Sequence, residues 1–258
     1  MILQNYEHIQ WAQFPEWKGD SRLFHAFTTR NGGVSNGEMS SLNLGRSQYD
    51  SDENVEENRR RFLTTAGIPR DRTVMARQVH SNHVAIVDEP GIVPNCDGLI
   101  TAVEGLYLII GVADCHTIFL TTPDRSIIGA LHAGWRGIAG NILGKAVSAM
   151  EQNFSCAAKD IELGISPGIG ECCYEVGDEV ANRFPASVIS ERDGACHLNL
   201  AKTIKQHARQ LGIADKHIYN ADRCTSCESG YWYSYRRDDG VTGRMWGVMG
   251  IIGDRSVE

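Results

Sequence analysis

The chain has 258 residues, 42% of them hydrophobic and 22% charged, enough to bury the core of one large domain or two small ones. Its net charge of −7, with no Lys/Arg stripe, argues against nucleic acid as a partner, which requires a basic footprint. No apolar run approaches the roughly 18 residues that span a bilayer, and the opening MILQNYEHIQWAQF lacks the basic and apolar regions of a signal peptide. A cytoplasmic protein with no membrane partner is expected, so its eight cysteines read as reduced thiols rather than a disulfide scaffold.

Trp11, Phe14 and Trp17 show no clean period, and residues 1 to 22 read as an N-terminal strand or cap over the core. The alternating run from Phe24 to Arg30 reads as a strand. It enters a Gly-rich turn, Asn31 to Gly37, that lacks the spacing and lysine of a phosphate-binding P-loop. Asp50-Ser51-Asp52 and an acidic first turn predict a helix over Glu53 to Ala66, with Arg59-Arg60-Arg61 partly on its solvated face. Val74 to His80 and His83 to Val87 flank Ser81-Asn82 and predict a hairpin with His80 at the end of its first strand. Leu106 to Val112 is almost all apolar, as expected of a strand buried on both faces.

Thr117 to Thr121 and Ser126 to Leu131 predict a second hairpin around Thr122-Pro123-Asp124-Arg125, where proline pre-sets a type I turn. A loop symmetric about Pro123 and Asp124 sets Cys115 directly opposite His132, with Cβ atoms roughly 4.5–5.5 Å apart. A slip of one residue would send the two to opposite faces. Beyond Gly134-Trp135-Arg136-Gly137, the pattern predicts a helix over Ile138 to Phe154 and a strand over Ile161 to Ile165. Helices over Tyr174 to Arg183 and Leu200 to Leu211 follow. With no linker and no internal repeat, the chain reads as one α+β domain over residues 1–258.

His80, Cys115 and His132 are the first candidates for chemistry. Two imidazoles and a thiolate suit Zn²⁺ or copper, and three ligands with an open fourth position describe a catalytic zinc site. The separations along the chain do not by themselves demand a metal. Cys115 also reads as a buried small hydrophobe with both histidines satisfied at strand ends, or as a nucleophile with His132 as its base. His83 and His116 are spare imidazoles beside the site. Asp97 and Asp114 are carboxylates able to orient a histidine or act as general base. Cys224-x-x-Cys227 invites a zinc-knuckle reading but has no second CxxC or HxxxH nearby, and Cys172-Cys173 are adjacent rather than spaced for chelation. Ordinary thiols or a turn are expected there. The arginines of Ser234 to Arg244 offer guanidinium forks to an anion, or form a surface ion-pair cluster.

Taken together, several segments resemble one family. FTTRNGGVS (27–35), SLNLG (41–45), ENRRRF (57–62), RQVH (77–80) and DGLIT (97–101) carry the first half. ADC (113–115), HAGWRG (132–137), SPGIGECCYEVG (166–177), CTSC (224–227) and SYRRDDGVTGR (234–244) carry the second. The chain is similar to the laccase-domain family, also called the multicopper polyphenol oxidase, purine nucleoside phosphorylase and peptidoglycan-editing factor family, over about residues 23 to 252. The resemblance implies a single-domain mixed-sheet sandwich with flanking helices, like the cysteine-hydrolase domain of the cytotoxic necrotizing toxins. It also implies a metal, Zn²⁺ or Cu²⁺, on His80, Cys115 and His132. Many relatives follow ADC with one residue and then proline. Here His116-Thr117 stand there, and an imidazole beside the ligand cysteine could alter the open position or the proton traffic.

The family's names imply different reactions. Multicopper oxidation of phenols needs many histidines at ligand spacing, and most of the nine here are isolated. Phosphorolysis of purine nucleosides needs an anion site. Arg30, Arg136 and Arg236 are the candidate phosphate forks, with Asn43 and Gln78 in the substrate-binding set. Adenosine deamination needs a metal-bound water and a carboxylate shuttle, Asp97 or Asp114. Peptidoglycan editing would be amide hydrolysis. The expected function is a metal-dependent purine nucleoside phosphorylase for adenosine, inosine and methylthioadenosine, with adenosine deaminase activity and Asp114 in the catalytic set. The alternatives are a cell-wall amidase, a polyphenol oxidase and a non-catalytic metal-binding interaction module. Nucleoside and phosphate are its expected partners.

Overall fold

Two stacked sheets with helices outside each make up the computed structural model, which describes residues 1–253. The first sheet runs in the order β1 (Ile2–Tyr6), β2 (Ile9–Gln13), β3 (Leu23–Thr28), β16 (Met245–Ile251), β8 (Tyr107–Val112), β4 (Thr73–Arg77) and β6 (Gly91–Pro94). The second runs β15 (Ile218–Asn220), β11 (Glu162–Ile165), β9 (His116–Thr121), β10 (Ile128–Ala133), β7 (Gly98–Thr101) and β5 (Val84–Ile86). Both are mixed, because β4 runs parallel to β6 and β8, as β11 does to β15 and β5 to β7. A small third sheet holds β12 (Glu175–Val176), β14 (Ala195–Leu198) and β13 (Ile189–Arg192). The helices are α1 (Asp52–Ala66), α2 (Trp135–Ala139), α3 (Ile142–Phe154), α4 (Asp178–Ala181) and α5 (Leu200–Gln210).

Side-chain alternation decides what each face meets. Along β8, Leu108, Ile110 and Val112 enter the core between the sheets, where Phe119 of β9 and Ala130 of β10 meet them. Tyr107 and Ile109 point the other way and pack with Phe62 and Leu63 of α1. On the far side, Ile118, Leu120 and Leu131 cluster with Ile142, Ala146 and Met150 of α3 and Ile204 of α5. The result is helix, sheet, sheet, helix. Central strands are buried on both faces, which explains the unbroken apolar run at Leu106 to Val112. At roughly 1.5–3 kcal/mol per fully buried large apolar side chain, these three clusters supply the main drive to fold.

α1 begins where its sequence places it. The Ser51 side chain accepts the Asn54 N–H, Asp52 and Glu53 occupy the first turn, and Gly67 closes the helix at φ 67°. Arg60 and Arg61 pair with Glu57 toward solvent, while Arg59 turns inward to the Leu44 carbonyl and the Trp246 ring.

Three expected elements differ. The helix over Ile138 to Phe154 is split, because Asn141 takes φ 58° and its side chain caps α3 by accepting the Gly144 N–H. Of Tyr174 to Arg183 only Asp178–Ala181 is helical, since Glu175 and Val176 pair with β14 instead. Val74 to Val87 is no hairpin. β4 belongs to the first sheet and β5 to the second, so residues 78–83 cross from one sheet to the other. That crossing carries His80 to the seam between the sheets.

Candidate active site

The β9–β10 hairpin forms, but its turn centres later than Pro123 suggests. Thr122 donates to the Ile127 carbonyl at 3.2 Å, Arg125 donates to Thr122, and Arg125 adopts φ 61°. His132 therefore pairs with Thr117 rather than Cys115. The shift is two residues, one full pleat, so Cys115 and His132 still share the face between the sheets. Continuing the register sets Cys115 opposite Gly134. A Cβ at Gly134 would lie 2.8 Å from the Cys115 sulfur, so the absent side chain leaves the thiol its space.

His80 reaches the same place from the crossing loop, at φ 59°. Asp97, fully buried at the head of β7, holds that loop. Its carboxylate accepts the N–H groups of Val79, His80 and Ser81 at 3.2, 3.0 and 2.7 Å, and the Ser81 hydroxyl at 2.7 Å. The same carboxylate meets His132 Nδ1 at 2.8 Å, and the Asp97 carbonyl accepts the His132 N–H. Asp97 thus fixes the His132 imidazole from behind, turning Nε2 toward the thiol, and anchors the backbone that carries His80.

The ligand atoms of His80, Cys115 and His132 all lie within 4.8 Å of one another, and the His80 and His132 rings meet nearly perpendicular at 4.8 Å. Burial opposes a charge on His132, but the Cys115 thiol and the Asp97 carboxylate prevail and push its pKa up to about 9. Burial and the neighbouring His132 hold His80 below its ordinary value. Burial would raise Asp97, yet His132 and the loop donors hold its carboxyl far below the usual range. The donor set, with an oriented imidazole and space kept at Gly134, suits one borderline-soft ion such as Zn²⁺ or copper.

The three groups lie on the wall of a cavity of about 960 Å³. Arg46, Arg59, Arg70, Arg77, Arg136, Arg236 and Arg244 line it against only Glu56 and Asp114, with Tyr174, Tyr235, Trp135 and Trp246 as aromatic surface. Glu56 is engaged by Arg46, Arg59 and Arg70. Arg136 stacks on Trp135 at 4.2 Å and makes no ion pair among the described residues. Burial, then the nearby Cys115, push the Tyr174 hydroxyl up to about 12, so it stays a neutral donor.

The sequence-predicted binding residues divide. Arg136 and Arg236 line the cavity, although Arg236 also donates to the Glu175 carbonyl. Gln78 lines it too, but both ends of its amide bond the Gly111 backbone. Arg30 lies outside the lining, donating to the carbonyls of Ser40 and Ser229. Asn43 is buried and accepts the N–H groups of Gly45 and Arg244, which positions Arg244 from beneath. Asp114 lines the cavity at φ 79°, its carboxylate accepting from the Thr225 hydroxyl at 2.6 Å and the Arg236 N–H at 2.7 Å. His83 is turned to the Asn95 carbonyl. His116 points away from the cavity into the protein, with Nδ1 on the Ser166 carbonyl and its ring under Gly168, where a Cβ would come within 2.4 Å of it. Sequence reasoning missed the roles of Gly134, of the wall arginines Arg46 and Arg70, which carry no motif of their own, and of Arg77, which opens the RQVH segment.

Comparison with known proteins identifies the family. The family model described as "Multi-copper polyphenol oxidoreductase laccase" matches residues 24–252. A purine nucleoside phosphorylase of Deinococcus radiodurans is 40% identical over 231 residues, 88% of each chain. Purine nucleoside phosphorylase YlmD of Geobacillus stearothermophilus is 36% identical, covering 86% of this chain and 88% of its own. The crystal structure of YlmD from that organism superposes with a TM-score of 0.90 at 34% identity over 97% of this chain and 98% of that one. Mixed sheets with few helices are therefore the family's fold, and the chain belongs to the multicopper polyphenol oxidoreductase laccase family, alongside relatives named purine nucleoside phosphorylase.

Proposed function

We propose that this chain is, as one catalytic domain, a metal-dependent purine nucleoside phosphorylase acting on adenosine, inosine and methylthioadenosine. The observation that carries the reading is the wall of the cavity: seven arginines against two carboxylates, beside the His80–Cys115–His132 donors. Orthophosphate binds to guanidiniums that lack a carboxylate partner, foremost Arg136, with Arg77 and Arg244 lining the same cavity. The purine lies against Tyr174 and Tyr235. Phosphate oxygen bonds to the sugar C1′ as the C1′–N9 bond breaks, and the base departs with a proton. His80, Cys115 and His132 hold the zinc or copper ion, which supplies a Lewis acid when bound. Asp97 orients the His132 imidazole and anchors the loop of His80, and Tyr174 donates a hydrogen bond into the site.

Adenosine deamination is a second activity of the same cavity in this reading. Asp114 supports it, as the carboxylate next to Cys115, with lone pairs left on both oxygens after the bonds from Thr225 and Arg236. The kinship with cysteine hydrolases is supported by the close pairing of Cys115 with His132. Phenol oxidation by several coppers is less well served, since among the described residues only one cluster of possible ligands contains histidine.

The test is product analysis of purified protein of known metal content, given adenosine with and without phosphate. Phosphate-dependent release of adenine, lost in Cys115→Ala, establishes phosphorolysis. Inosine formed without phosphate establishes deamination alone. Absence of turnover in metal-loaded protein overturns both and favours the cell-wall amidase.

A further inference from the structure

A second group of potential ligands lies apart from His80, Cys115 and His132. The sulfurs of Cys172, Cys173, Cys224 and Cys227 all lie within 4.8 Å of one another. Cys227 Sγ is 3.5 Å from Cys172 Sγ and 3.4 Å from Cys173 Sγ. The pairs are thus far wider than the roughly 2.05 Å of a disulfide. They approach the edge of a zinc tetrathiolate, about 3.8 Å when each Zn–S bond is about 2.3 Å. Separate irons of a cluster would need ligands set wider apart, so the spacing fits one ion.

Adjacency of Cys172 and Cys173 argued against chelation in the sequence, and the local fold removes the objection. Residues 170–174 form a tight turn, with Cys173 and Tyr174 both donating to the Gly170 carbonyl. Backbone pairing of Gly168 with Cys224, and the Thr225 N–H on the Gly168 carbonyl, bring the CxxC turn against it. The Gly170 N–H donates to Cys224 Sγ at 3.2 Å, the kind of bond that stabilises a ligating thiolate. A Cβ on Gly170 would come within 3.1 Å of Cys172 Sγ and 3.2 Å of Cys224 Cβ, so this position too is kept bare beside sulfur. Arg192 donates to the Cys172 carbonyl, and Arg237 to the carbonyls of Thr225 and Ser226. Arg237 also pairs with Asp238 through both carboxylate oxygens, so its part is to fix the turn rather than to offset charge.

We propose that Cys172, Cys173, Cys224 and Cys227 bind one structural zinc ion that clamps the 166–174 loop to the 224–227 turn. Four thiol protons leave as four Zn–S bonds form. The clamp bears on the cavity, because Thr225, inside the CxxC turn, holds Asp114 next to Cys115, and Tyr174, directly after the cysteine pair, lines the wall. The proposal is independent of the reaction assigned above.

Its test is metal analysis of the whole protein purified under reducing conditions with added zinc. Cys115→Ala is expected to retain one tightly bound zinc per chain, and its cobalt-substituted form to show the intense visible bands of tetrahedral tetrathiolate Co²⁺. Cys172→Ser/Cys227→Ser is expected to lose that ion. Should the double variant fail to fold, alkylation of Cys115→Ala decides: zinc must protect four cysteines, identified by peptide mass as these four. A Cys115→Ala protein without zinc, a disulfide among the four in reduced preparations, or equal alkylation with and without zinc would each overturn the proposal.

Discussion

Asp97 grips His132 at both ends of one residue: carboxylate to imidazole Nδ1 at 2.8 Å, and carbonyl to backbone N–H at 2.6 Å. The carboxylate simultaneously receives three loop N–H groups and a hydroxyl, so it accepts everywhere and donates nowhere. Asp97→Asn places an amide NH₂ among donors. We expect a loss of about 2–4 kcal/mol in stability and about 10–100-fold in metal affinity. Denaturant titration and zinc competition measure the two separately.

Gly134→Ala isolates the sulfur's space. Gly134 has φ −83°, which alanine adopts freely, so the backbone stays unstrained. The new methyl would meet Cys115 Sγ at 2.8 Å and displace it. Turnover is expected to fall about 100-fold, as for misplacement of a reacting group by an ångström, with a melting temperature close to wild type. Full activity in G134A would show that the position of Cys115 does not matter.

Arg136→Ala tests the anion site. A lost charge-assisted hydrogen bond is worth about 1.5–3 kcal/mol, equivalent to about 10–150-fold in the KM for phosphate. Initial rates at varied phosphate and fixed nucleoside give that KM, and the KM for nucleoside is expected to move far less.

His25 makes stability depend on pH. It is wholly buried in the first sheet, and Nε2 accepts the Phe14 N–H at 2.8 Å. Burial holds its pKa down at about 3, against 6.5 when exposed. The unfolded chain therefore takes up the proton first. Stability present at neutral pH is lost as pH falls from about 6.5 toward about 3, by up to ~1.4 kcal/mol per pH unit. His25→Gln keeps an acceptor for Phe14 and cannot ionise, so denaturation at about pH 7 and about pH 5 should show a flatter profile.

Local features were legible in the chain and long-range ones were not. The cap and acidic start of α1 and the apolar run of β8 depend on neighbours within a few residues, and the nearness of Cys115 to His132 on a single hairpin. Their register did not follow from Pro123, because the left-handed Arg125 moved the turn. Crossing of residues 78–83 between sheets could not be read at all, since β4 and β5 find partners 14 or more positions away in other elements. The four-cysteine group depends on the bridge from Gly168 to Cys224. Arg30 and Asn43 carry family motifs, yet Arg30 bonds backbone carbonyls and Asn43 bonds backbone and Asp50. Resemblance located a conserved-looking segment in both cases without telling a wall from its support.

Burial of the central strands on both faces has one more consequence. Such strands have no wet side on which to display chemistry, so reactive groups can stand only where strands end: His80 beyond β4, Cys115 before β9, His132 near the close of β10. The arginines around them come from loops, helices and a strand end, which can exchange residues without repacking the sheets. Frame and specificity are therefore able to diverge at different speeds. One floor can thus carry different substrate contacts without any change in the strands beneath it.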